Sequence, residues 1–86
     1  MQIIVQGLEE IADSVKKSSK SAVVAQLIQN LRKELAASKE NPYFKVLDEE
    51  LGVWLKKLDV ILKEPAGREG MVKHVKHWVE RLCQAS

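Results

Sequence analysis

His74 and His77 stand one helical turn apart in VKHVKHW, close enough to offer two metal ligands from one helix. A third ligand would have to be Glu80, Cys83 or a residue from elsewhere in the chain. The pair falls short of the HExxH arrangement, in which the histidines are four apart and a glutamate lies between them. On a helical wheel His77 points away from the apolar side, while His74 borders it beside Trp78. The spacing therefore reads as two solvated histidines, not a metal centre. Cys83 as a nucleophile would need a base within hydrogen-bond reach. His77 lies on a different side of the same pattern, so Cys83 reads as a small apolar filler. Glu9-Glu10 and Glu49-Glu50 are adjacent in sequence, so their carboxylates diverge on a helix and make no acid/base pair. The stretch EPAGREG lacks the lysine of a phosphate loop and no strand precedes it; it reads as a turn. With no converging constellation, the expectation is a chain that is not an enzyme and takes no cofactor, metal or small-molecule substrate.

Two surfaces remain for recognition. Trp78 is flanked by His74 and Arg81, one turn to either side, and both are placed to stack on the indole as a cationic, aromatic edge for an acidic partner. The competing reading makes Trp78 a core anchor whose rim is covered by basic stems, and that reading is the stronger. The second surface lies on the central stretch, where Val46, Val53 and Val60 recur every seven residues. They form a narrow stripe separated from the main apolar side by Glu50 and Lys57. It reads first as the second contact side of a helix with two neighbours, and next as a seam for another chain. Gly52 beside it either admits a close-packed helix or costs about 1 kcal/mol of helix stability. A weaker alternative is phosphate or nucleic-acid binding through Arg68, Lys73, Lys76 and His77.

These residues must be positioned by helices. Asn41-Pro42 is a helix start, and Phe44, Leu47, Leu51, Trp54, Leu55, Leu58, Ile61 and Leu62 fall on one side at about 100° per residue. This pattern stops before Pro65, giving a helix over 42–63. An earlier helix over 2–17 places Ile4, Leu8, Ile11 and Val15 together, with Asp13 one turn from Lys17. A polar turn, Ser18-Ser19-Lys20-Ser21, supplies candidate caps for a helix over 21–37, whose stripe is Val24, Leu27, Ile28, Leu31 and Leu35. The last helix, over 68–83, begins between Ala66 and Met71 and carries Met71, Val72, Val75, Trp78, Val79 and Leu82. Four amphipathic helices with short connections predict an all-α, antiparallel up-down-up-down four-helix bundle. The central helix is about 33 Å long against about 25 Å for its neighbours. It therefore either breaks near Asp48 or overhangs. Breaks near Asp48 and Gly52 would instead give a death-fold-like bundle of five or six short helices.

Composition sets the outer limits. Eighty-six residues make one domain, 45% hydrophobic and 30% charged, in the range of globular proteins. The net charge of +2 comes from interleaved signs, which disfavours a dedicated nucleic-acid binder. One cysteine excludes an internal disulfide and fits a reducing compartment. The N-terminus MQIIVQGLEE lacks the basic region of a signal peptide, and no apolar run reaches the ~18 residues of a membrane span. The chain reads as a complete small cytoplasmic protein, with an excised domain as the alternative. Its expected role is an interaction or assembly module that binds another protein or a second copy of itself.

Overall fold

The computed structural model describes residues 2–17, 20–38 and 42–85. These form four helices: α1 (Gln2–Lys16), α2 (Ser21–Ala37), α3 (Pro42–Lys63) and α4 (Pro65–Ala85). Each packs on its neighbours in chain order, and α4 returns to α1, closing a ring of four antiparallel contacts. The core is built from the residues whose spacing marked them: Leu8, Ile11 and Val15 from α1; Val24 and Ile28 from α2; Leu47 and Leu51 from α3; Val75, Trp78 and Leu82 from α4. Leu27, Trp54, Leu55, Ile61 and Val79 pack against it from half-buried positions.

Helix α3 runs unbroken through Asp48 and Gly52, so the five- or six-helix alternative does not occur. Arg32 of α2 lies across both positions. Its Nε donates to Asp48 Oδ1 at 2.9 Å, and a Cβ at Gly52 would stand 3.4 Å from its Nη1. Gly52 thus serves the α2–α3 contact instead of a foreign helix. The hydrogen bond to Asp48 is the main cause that holds the Arg32 guanidinium above its ordinary pKa, with the Asp48 charge adding to it against a desolvation effect. The two side chains are 38% and 39% exposed, so solvent screening limits the pair to about 1 kcal/mol.

The expected start of α4 at residue 68 is corrected to Pro65. Proline suits the first helical position because its missing N–H would have no partner there. Only Glu64 separates α3 from α4, and its carbonyl accepts from Arg68 N at 3.2 Å. The corner is tight enough that a Cβ on Gly67 would sit 2.5 Å from the Ile61 carbonyl oxygen. With 21 residues, α4 nearly matches the 22 of α3, so the length mismatch needs neither a break nor an overhang. The two shorter helices, α1 and α2, pack alongside.

At α2 the cap departs from expectation. The position before α2 is Lys20, in extended conformation and without a side-chain cap bond. Its carbonyl accepts from Val23 N and Val24 N. The candidate caps Ser18, Ser19 and Asn41 lie outside the described residues. Asp13 and Lys17 do pair, at 3.0 Å on an exposed surface, where such contacts contribute little. No described helix is long and apolar enough to cross a membrane.

Candidate functional site

The valine stripe lies on the outside of the bundle. Val46, Val53 and Val60 are 47%, 48% and 73% exposed, on the side of α3 opposite Leu51. The expectation that they form its second internal contact is therefore corrected. One flank of α3 meets α2 through Asp48 and Gly52. The other meets α4 through Glu50 and Trp54. Both neighbours are satisfied without the valines.

At the α3–α4 contact, one carboxylate gathers several groups. The indole Nε1 of Trp78 donates to Glu50 Oε2. His74 Nε2, one turn earlier on α4, meets the same oxygen at 2.8 Å. Its ring also stands edge-on to Trp54, at a centroid distance of 5.4 Å and an interplanar angle of 88°. Arg81 lies over the Trp78 ring, 5.5 Å from the centroid, as its spacing predicted. His74 turns instead to Glu50 and Trp54. Trp78 itself is 1% exposed and belongs to the core, so this edge offers a partner Arg81 and His74 but not the indole. Glu50 was missed from sequence. The available signal was its place one turn before Trp54, on the flank that must face another helix.

The basic residues separate into two groups. Arg68, Lys73 and Lys76 line a groove of about 420 Å³ together with Lys16 of α1, over Val15, Pro65 and Val72. Lys16 was not anticipated, and His77 does not line the groove. Arg68 has a structural task. Its Nε donates to Leu62 O and its Nη1 to Val15 O, each at 2.9 Å. One guanidinium thus caps the last turns of both α1 and α3, where carbonyls lack helical partners.

No family model, curated protein or solved structure matches this chain. Its chemistry must be read from its own side chains. Among the described residues, no group of three or more His, Cys, Asp or Glu is placed to hold a metal ion. Cys83, expected as an apolar filler, is exposed.

Proposed function

We propose that the chain is a small non-catalytic protein–protein interaction or assembly module that docks through the outer face of α3. The observation that carries this reading is the valine stripe. Three β-branched apolar side chains recur at a seven-residue interval on a solvent face, where polar residues would serve an isolated bundle better. Burying each by docking would contribute about 1 kcal/mol, and the regular interval matches the seam that a partner helix follows. We place the module in the cytoplasm, the compartment that suits a chain with one cysteine.

The test is a photo-crosslinking residue in place of Val53, with a control in place of Lys33 on the outer side of α2, introduced into the protein in its own cell extract. Adducts are expected from position 53 and not from position 33. An absence of adducts at 53 beyond the control, in the extract and in the purified chain at about 1 mM, would remove the docking reading.

A second reading is favoured by the groove between α1 and α4, where Lys16 joins Lys73 and Lys76. It would take a phosphate-bearing ligand such as a short nucleic acid. Three lysines on a half-apolar floor suit weak binding, and its salt dependence is the check.

A further inference from the structure

We infer that the occupant of the α3 face is a second copy of this chain, with the two α3 helices antiparallel and a two-fold axis passing beside Val53. The inference rests on the docking reading above and adds the partner, the direction and the register.

The charges around Val53 supply the argument. Counting from Val53, the valines stand at −7, 0 and +7, glutamates at −4 and −3, and lysines at +3 and +4. At about 100° per residue, Glu49 and Lys56 flank the stripe on the side toward α2, while Glu50 and Lys57 flank it on the side toward α4. A two-fold axis perpendicular to antiparallel helices reverses direction along the helix and keeps each flank facing its own counterpart. Val46 then meets the partner's Val60, and Val53 meets its own copy. Glu49 meets the partner's Lys56, and Glu50 the partner's Lys57. Every contact occurs twice.

A parallel pair with the same stripe would set glutamate on glutamate and lysine on lysine, so the charge order selects direction as well as register. Glu50 already holds Trp78 and His74, which fixes its carboxylate beside the stripe but leaves Glu49 as the cleaner partner for an incoming lysine. Further out, Lys45 would approach the partner's Lys63 on the same flank. That like-charged contact confines the favourable part of the seam to its central turns. A single-helix seam is also small beside the ~800 Å² per partner of stable complexes. The dimer is accordingly weak, with half-association in roughly the 10–1000 μM range.

Sedimentation of the full chain across concentration tests this, with helicity checked for each variant. All the substituted side chains are exposed, so folding should be retained. Wild type should form a dimer that Val53→Lys abolishes. Glu49→Lys and Lys56→Glu should each weaken it roughly tenfold, since each reversal acts twice per dimer. The double variant Glu49→Lys/Lys56→Glu should recover to near wild type. A chain that stays monomeric to about 1 mM overturns the inference, as does a dimer indifferent to Val53→Lys. A dimer broken by Val53→Lys but indifferent to the charge reversals overturns the antiparallel register. Position-53 crosslinks to a different protein, with a purified chain that remains monomeric, would sink the second copy and leave the docking reading standing. No position-53 crosslinks, either in the extract or in the purified chain at about 1 mM, would sink both.

Discussion

Removing the Glu50 carboxylate and removing the His74 ring should have unequal consequences, because only one of the two donors to Glu50 is buried. Trp78 is in the core and its indole N–H finds its acceptor in Glu50, whereas His74 is exposed and can exchange Glu50 for water. Glu50→Ala leaves a buried donor without a partner, which costs about 1–3 kcal/mol. His74→Ala loses an exposed hydrogen bond and an edge-on ring contact, together at most about 1 kcal/mol. Urea unfolding of the two variants measures the difference, and equal small losses would show that Trp78 is satisfied some other way. At this scale the sequence was half legible. Trp78 as anchor and Arg81 above it followed from spacing on one helix. The acceptor for the indole did not, since it sits on another helix and a wheel carries no information about how two helices are aligned.

The α3–α4 corner shows why elements were legible in type and less so at their ends. Pro65, Gly67 and Gly70 look like breakers when taken one at a time, yet all three lie inside α4. Pro65 occupies the one helical position that tolerates it, and the two glycines have opposite reasons for being there. At Gly67 a methyl group would collide with the Ile61 carbonyl, a backbone atom that cannot swing aside. At Gly70 there is nothing within 4 Å of the added carbon. Gly67→Ala should therefore destabilise the bundle by about 1–3 kcal/mol through forced displacement of the corner. Gly70→Ala should stabilise it by about 0.5–1 kcal/mol by removing helix-interior flexibility. Thermal midpoints should move in opposite directions, by several degrees each in a domain of this size. A shared direction would mean that the corner is looser than its geometry. The apolar stripes of all four helices were readable because burial on one side imposes a 3.6-residue period. The α3 valines were assigned inward because periodicity says that a stripe exists and not what covers it.

For the whole molecule, the small net charge concealed how the basic residues are distributed. Interleaved signs along the chain disfavoured a dedicated nucleic-acid binder, but the closing contact of α4 on α1 brings Lys16 beside Lys73 and Lys76. Only ring closure makes these neighbours, since Lys16 is far from the other two in sequence. Arg68 looked like a fourth member, yet its Nε and Nη1 donate to the ends of α1 and α3, and Glu69 lines the same groove. The groove can therefore set at most three lysines against phosphates. Titration with a short single-stranded oligonucleotide should then give weak binding whose logarithm falls with the logarithm of salt at a slope of about −2, or about −0.7 for each phosphate neutralised. Lys73→Glu should flatten the slope by more than one phosphate's worth, because it removes one attraction and adds a repulsion. A signal insensitive to salt, or one unchanged in Lys73→Glu, removes phosphate recognition through this groove and leaves the outer face of α3 as the one docking surface proposed for the molecule.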